Sequence, residues 1–254
     1  MLQILKQYPS VAVAFSGGVD STLLLYAACE ALGKERVFVL RGVSELVSKR
    51  ESTAAAALLR ELNISSKQIL EIRLYPLIWP EFITNSPERC YFCKKRMYQT
   101  FQRSLSISDD PVLLDGSNVD DLKSHRPGSR AIQEFGIKTP MLDADLNKED
   151  IRSLAKRFHL SNHDKPSNSC LATRLLEGTE IKRKLLLTVE ECEDFLLERG
   201  FSGCRVKPNG LDVVLELAEN DAALLTNSPV HVEIICFFKS KGFLRVLVDL
   251  HPRI

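Results

Sequence analysis

The chain has 254 residues, 44% hydrophobic and 26% charged, enough to bury a full core in one large domain or in a medium and a small one. A formal charge of +1 leaves no broad basic footprint for duplex nucleic acid, and no apolar run approaches membrane-spanning length. The opening stretch MLQILKQYPSVAVAF has neither a basic leader nor a small-residue cleavage site, which points to a cytoplasmic protein whose seven cysteines are thiols, ligands or catalytic groups, not a disulfide framework.

Val11 to Phe15 is a short apolar run that breaks into Ser16, Gly17 and Gly18, a buried strand entering a glycine turn. Leu23, Leu24, Ala27, Ala28 and Ala31 then keep helical spacing until Gly33 stops it. Val37 to Leu40 reads as the next strand, Glu45 to Leu62 as a long helix and Ile69 to Leu74 as a third strand. Ser86 and Pro87 supply an N-cap and a first-turn proline for a helix through Met97 and Phe101. Val112 to Leu114 is a fourth strand, and Asn147 opens a helix that buries Ile151, Leu154, Ala155 and Phe158. Strands alternating with helices predict a doubly wound parallel sheet, an α/β fold covered on both faces.

The pattern changes after about Arg174. Leu185 to Arg199 is amphipathic, Cys204 to Val206, Val213 to Leu217 and Val230 to Phe238 look like strands, and Phe243 to Leu250 closes the chain. The expected organisation is therefore a nucleotide domain over 1–174 and a small α+β domain over 175–254, with the boundary inside 165–182. The smaller domain is expected to serve substrate binding and assembly into a homo-oligomer.

Ser16-Gly17-Gly18-Val19-Asp20-Ser21-Thr22 is the strongest chemical signal. Two glycines let backbone N–H groups turn toward an anion, the serine and threonine hydroxyls add donors, and the following helix points its positive end there. No lysine follows the last glycine, so this is not a Walker A loop. It resembles the SGGxDS loop of the PP-loop ATP pyrophosphatases, and Gly116-Ser117-Asn118 resembles that family's Gly-Ser/Thr-Asn turn. The resemblance implies ATP held by Ser16, Gly17, Gly18, Asp20, Ser21, Thr22, Gly116 and Asn118, with Asp20 holding Mg2+ or orienting the nucleotide. The family transfers AMP and releases pyrophosphate.

Arg89-Cys90-Tyr91-Phe92-Cys93-Lys94 puts two thiols on one face at a helix start, where the helix dipole and Arg89, Lys94 and Lys95 favour thiolates. Structural zinc, a redox dithiol and coincidence all compete for that spacing. Cys170 is the other cysteine in a polar loop, while Cys29, Cys192, Cys204 and Cys236 read as small core residues. Three thiolates suit a [4Fe-4S] cluster with one open iron, and a zinc site would recruit His163 as fourth ligand.

Together the motifs resemble the LarE-type sulfur transferases, which build the thiocarboxylates of the nickel-pincer nucleotide. The likeness rests on SGGVDS, RCYFCK, DGSN followed by Asp120-Asp121, Arg126-Pro127-Gly128, Lys148 with Ile151-Arg152, Lys165-Pro166 and Cys170-Leu171-Ala172-Thr173-Arg174. It covers roughly residues 10 to 207. It implies catalytic roles for Cys170, Asp20 and Arg174, a pyridinium dicarboxylate mononucleotide as substrate, and Cys90, Cys93 and Cys170 as [4Fe-4S] ligands delivering sulfide from an external donor. In sacrificial members the residue matching Cys170 gives up its own sulfur. Arg205 and Lys207 replace the family's arginine pair as readers of the substrate phosphate, and lysine loses the bidentate geometry. A tRNA thiolase, an amide-forming synthetase and a degenerate nucleotide-binding partner are the rival readings. The first lacks a basic RNA surface here, the second an ammonia-supplying domain, and the third is disfavoured by the intact loop.

Overall fold

The computed structural model describes residues 1–105, 111–123, 126–166, 169–226 and 228–251. Ser167 and Asn168 of the Cys170 loop, and the closing Pro252-Arg253-Ile254, lie outside them. The chain divides into two compact units, Met1–Pro76 with Pro87–Ser167, and Leu77–Ser86 with Asn168–Ile254.

The first unit opens with α1 (Leu2–Leu5), β1 (Val11–Ala14), α2 (Val19–Leu32), β2 (Val37–Val43), α3 (Lys49–Glu61) and β3 (Ile69–Arg73). The chain then enters the second unit with α4 (Pro80–Ile83) and returns as α5 (Arg89–Leu105), β4 (Val112–Leu114), α6 (Gly128–Glu134), α7 (Pro140–Asp143) and α8 (Lys148–Arg157). Its strands are parallel in the order β3-β2-β1-β4, with Val11 opposite Val37 on one side and Val112 on the other.

Successive side chains of β1 point to opposite faces, and both faces are covered. Val11 and Val13 pack in one cluster with Leu23, Ala27, Leu58, Ile151 and Ala155, from α2, α3 and α8. Ala12, between them, packs in another with Tyr98 and Phe101 of α5 and Ala131 and Ile132 of α6. This is the doubly wound sheet the alternation predicts. Because β4 lies on the other side of β1 from β2, the strand order reverses there. The carboxyl ends of β1 and β4 therefore frame the crevice in which such sheets bind ligands.

Local boundaries shift where a cap decides them. The helix predicted from Glu45 starts at Lys49, because the Ser48 hydroxyl accepts the Glu51 N–H at 3.2 Å. The helix expected to be capped at Ser86 begins at Arg89. Phe158 does not share the buried face of α8. It follows the last helical residue, is 36% exposed and stacks on Tyr26 at 4.8 Å.

The second unit adds α9 (Arg183–Glu198), β5 (Cys204–Asn209), β6 (Asp212–Leu217), α10 (Ser228–Ser240) and β7 (Arg245–Val248). Its sheet has the order β5-β6-β7, antiparallel then parallel. The stretch around α4 belongs to it through backbone bonds from Ile181 N to Ile83 O at 2.9 Å and from Gly178 N to Asn85 O at 3.0 Å. Val230 to Phe238, expected as a strand, lies inside α10. Ile234 and Phe238, four apart, are buried while Val232 is 54% exposed, which is a helical face. Val230, Val232 and Ile234 alternate with His231 and Glu233, a period of two that imitates a strand, before Ile234 to Phe238 runs on as a continuous apolar stretch that fits either period. Cys236, two residues from each buried anchor, is exposed and is not the core thiol expected. Among the described residues no helix is long and apolar enough to cross a membrane.

Candidate active site

The turn after β1 is built so that its carbonyls are held by the protein. Gly17 has φ +80°, and a Cβ there would lie 2.7 Å from the Ala55 Cβ of α3, so only glycine fits. The Ser21 and Thr22 hydroxyls both donate to the Gly18 carbonyl, at 3.1 and 2.9 Å. The Gly18 N–H reaches Ser16 Oγ at 3.3 Å, and Ser16 and Gly18 are exposed. Thr22, expected among the anion donors, is instead fully buried, and its hydroxyl braces the loop from beneath. The start of α2, with Asp20 in its first turn, follows directly.

The turn after β4 meets this loop. A Cβ on Gly116 would lie 3.2 Å from the Ser21 amide nitrogen, so the glycine permits close approach of two backbones. Asn118, 3% exposed, donates to Asp20 Oδ1 at 3.2 Å and caps the following turn by accepting the Asp120 N–H at 3.0 Å. Lys148, at the start of α8, donates to Asp20 Oδ2 at 2.6 Å, while its own N–H bonds to Asp120 Oδ2 at 2.7 Å. Asp20 is thus fixed by an amide and an ammonium at the crevice. The predicted nucleotide residues Ser16, Gly17, Gly18, Asp20, Ser21, Thr22, Gly116 and Asn118 stand together in one unit.

Asp115 ties the same turn to α5. It accepts from Ser117 N at 2.9 Å and from Tyr98, with Lys94 Nζ at 3.5 Å. Burial alone raises its carboxyl, but Lys94, Ser117 and Tyr98 outweigh burial and hold it below the usual carboxylate range. Lys94 directly follows Cys93, so the cysteine pair is anchored to the nucleotide crevice by one ion pair. The first turn of α5 is also backed by α6: Gly128 packs where a Cβ would lie 3.0 Å from Lys94 Cδ and 3.6 Å from Cys90 O. The Arg130 guanidinium lies 3.5 Å over the Tyr91 ring, whose hydroxyl bonds to Glu134 at 2.8 Å.

Cys170, Arg174, Arg205 and Lys207 lie in the second unit. Arg174, expected in a catalytic role, is 2% exposed and makes a two-point pair with Glu193, Nε to Oε1 at 2.8 Å and Nη2 to Oε2 at 3.2 Å. Its Nη1 donates to Ser169 O at 2.7 Å and to Cys170 O at 3.2 Å, and Glu193 Oε1 also accepts the Val206 N–H at 3.1 Å. One buried pair therefore joins α9, β5 and the Cys170 segment. Removing either partner leaves a buried charge, so Arg174→Met or Glu193→Leu alone is expected to destabilise the second unit by about 3–5 kcal/mol. Denaturant unfolding of the full chain checks this, and a loss within error of zero refutes it.

Arg205 and Lys207 share the half-exposed face of β5. Arg205 is directly opposite Glu216 of β6, and Lys207 forms an ion pair with the same carboxylate. Glu216 thus sits between the two expected phosphate readers.

Burial pushes the Cys29 thiol up to about 11 and the Cys192 thiol up to about 12, which keeps both protonated and unreactive. Cys90 is exposed, Cys93 and Cys170 are half-buried, and His163 Nδ1 stands 3.1 Å from the Leu160 carbonyl. Among the described residues no three His, Cys, Asp or Glu side chains are gathered into a metal site.

In the sequence Lys148 stands out only as one residue of the family resemblance, with no role attached to it. Two further residues carry no warning in the sequence: Glu193, in the second unit, is one of many acids on an amphipathic helix, and Asn162, in the first, is one more loop residue. Asn162 is 5% exposed and donates to Gly17 O at 3.2 Å and to Thr22 Oγ1 at 3.0 Å.

Residues 5–85 match the NAD synthase family. Over 98% of its length the chain is 30% identical to the pyridinium-3,5-bisthiocarboxylic acid mononucleotide synthase of Lactiplantibacillus plantarum, covering 89% of that protein. It is 32% identical, over 94% of its length, to an uncharacterized protein of Methanocaldococcus jannaschii, covering 89% of that chain. With an uncharacterized protein of Synechocystis it shares 29% identity over 98% of its length, covering 91% of the relative.

Proposed function

The chain belongs to the LarE-type family of the pyridinium-3,5-bisthiocarboxylic acid mononucleotide synthase, within the PP-loop superfamily, and from that membership we propose that it is an ATP-dependent sulfur transferase acting on the carboxylates of a pyridinium mononucleotide. The observation that carries the reading is the crevice at the ends of β1 and β4, where the glycine loop, Asp20, Asn118 and Lys148 converge.

A carboxylate oxygen is a poor leaving group, so replacing it by sulfur needs prior activation. In the proposed sequence the carboxylate attacks the α-phosphorus of ATP, the bond to pyrophosphate breaks, and an acyl-adenylate forms. A sulfur nucleophile then adds to the acyl carbon and AMP leaves with the oxygen. The charge that develops on the departing pyrophosphate is met by the loop N–H groups and the start of α2. Mg2+, when bound, neutralises phosphate charge and takes one or two carboxylates with phosphates and water, a role that Asp20 suits. Lys148 holds Asp20 in place when no metal does.

Arg205 and Lys207 are proposed to receive the phosphate of the substrate, in competition with Glu216. Reversing both charges is expected to raise the substrate KM by about 100-fold or more, through loss of two charge-assisted contacts, with ATP affinity unchanged. Steady-state kinetics with each substrate varied in turn measures this. An unmoved substrate KM removes the assignment. The wider reading is tested by incubating the chain with ATP and pyridinium dicarboxylate mononucleotide: AMP, pyrophosphate and a thiocarboxylate product support it, and ADP as the nucleotide product refutes it. The sulfur source proposed here is a [4Fe-4S] cluster on Cys90, Cys93 and Cys170, supported by the presence of all three residues and by the family resemblance.

A further inference from the structure

The Gly17–Gly18 peptide is the part of the phosphate loop whose orientation decides whether an anion meets a donor or an acceptor. A trans peptide points its C=O and its N–H in opposite directions. Gly17 adopts φ +80°, a conformation in which the peptide that follows can rotate at little steric cost. Something must therefore select one of the two faces. In this chain the Gly17 carbonyl points inward to the Asn162 amide, which is 5% exposed and donates to it at 3.2 Å. The Gly18 N–H is consequently turned the other way, to the exposed side of the turn, where its contact is the Ser16 hydroxyl at 3.3 Å.

The same Asn162 Nδ2 donates to Thr22 Oγ1 at 3.0 Å, and Thr22 Oγ1 donates to the Gly18 carbonyl at 2.9 Å. Two consecutive loop carbonyls are drawn inward by one buried amide and the hydroxyl it orients. Asn162 Oδ1, also buried, has no hydrogen-bond partner among the described residues. The position uses the donor side of the amide, and an acceptor in its place faces the lone pairs of Gly17 O.

We propose that Asn162 is a positioning residue that locks the Gly17–Gly18 peptide with its N–H outward, and so sets the affinity of the loop for the pyrophosphoryl part of the nucleotide. The inference rests on the ATP reading above and adds to it a residue outside the glycine motif. Asn162→Asp is nearly isosteric but presents acceptors where Gly17 O needs a donor. It favours the flipped peptide, which turns a carbonyl toward the anion. Asn162→Ser keeps a shorter donor.

The test is calorimetric binding of inorganic pyrophosphate with Mg2+, of ATP and of adenosine to the full-length wild-type, Asn162→Asp and Asn162→Ser proteins. Thermal melting of each is recorded alongside. Asn162→Asp is expected to lose at least about tenfold in pyrophosphate and ATP affinity, the scale of one charge-assisted hydrogen bond, with adenosine affinity unchanged. Asn162→Ser is expected to fall between it and wild type. A general loosening of the fold instead lowers adenosine binding and melting temperature together, and that outcome overturns the proposal. So does pyrophosphate affinity equal to wild type in both variants. If Asn162→Asp does not fold, Asn162→Ser alone decides, since an unchanged ratio of pyrophosphate to adenosine affinity refutes the lock. Wild-type protein that binds neither ATP nor pyrophosphate overturns the ATP reading itself, and the two failures are told apart in this way.

Discussion

Replacement of Asp20 by alanine is expected to lower AMP formation by about 10²–10³-fold while the protein still folds. Asp20 is partly exposed, in the first turn of α2, and its carboxylate is held by Asn118 at 3.2 Å and Lys148 at 2.6 Å. Losing an acid from a helix start costs only about 0.3–1 kcal/mol, which a domain of this core size absorbs. The chemical loss is larger, because the group proposed to hold Mg2+ or orient the triphosphate disappears and the Lys148 ammonium is freed to take up an unproductive position. Ser16→Ala removes one exposed hydroxyl beside the Gly18 N–H, and is expected to cost about tenfold, the value of one hydrogen bond to a charged group. Pyrophosphate release, measured beside thermal melting, reads both. Pyrophosphate release at the wild-type rate in both variants removes the proposed activity.

The loop and its surroundings were legible because their chemistry constrains residue type. A turn that must show N–H groups to an anion needs glycine where φ is positive or where backbones approach closely, and Gly17 and Gly116 meet those demands. The strands of the first unit were legible for a similar reason: a parallel strand buried on both faces is an apolar run, and Val11 to Phe15, Val37 to Leu40 and Val112 to Leu114 have no competing helical pattern. Other parts depend on contacts between distant residues. Nothing around Leu77 to Ser86 announces that it joins a different unit from its neighbours, since the decisive bonds run from Ile83 and Asn85 to residues about a hundred positions away. Arg174 reads as a reactive cation in its motif, and its burial against Glu193 became visible only once α9 lay beside it. α10 reads as a strand because Val230, Val232 and Ile234 alternate with His231 and Glu233 and a continuous apolar stretch follows, which together mask the helical spacing of Ile234 and Phe238.

The sulfur atom is expected to come from a cluster and not from Cys170, so single replacement of Cys90, Cys93 or Cys170 by alanine should each abolish sulfur transfer. Three thiolates can bind three irons of a [4Fe-4S] group and leave the fourth open to sulfide. In that chemistry Cys170 is a ligand and is retained. The competing route is chemically open in this chain. The Cys170 carbonyl accepts hydrogen bonds from Thr173 N at 2.9 Å, Thr173 Oγ1 at 2.8 Å and Arg174 Nη1 at 3.2 Å. Donors on that oxygen acidify the adjacent Cα–H. If the Cys170 sulfur attacked the acyl-adenylate, AMP would leave; loss of the Cα proton would then break the Cβ–S bond, releasing the thiocarboxylate and leaving dehydroalanine. Such a protein acts once, and Cys90 and Cys93 have no part in the step. Anaerobic protein reconstituted with iron and sulfide should therefore turn over repeatedly when sulfide is supplied, and its intact mass afterwards should match the starting mass. Cys90→Ala and Cys93→Ala should lose both the cluster absorption and the product, while retaining pyrophosphate affinity because the glycine loop is untouched. A single turnover that leaves Cys170 short of one sulfur and two hydrogens, and that proceeds equally in Cys90→Ala, would assign the sulfur to the protein itself.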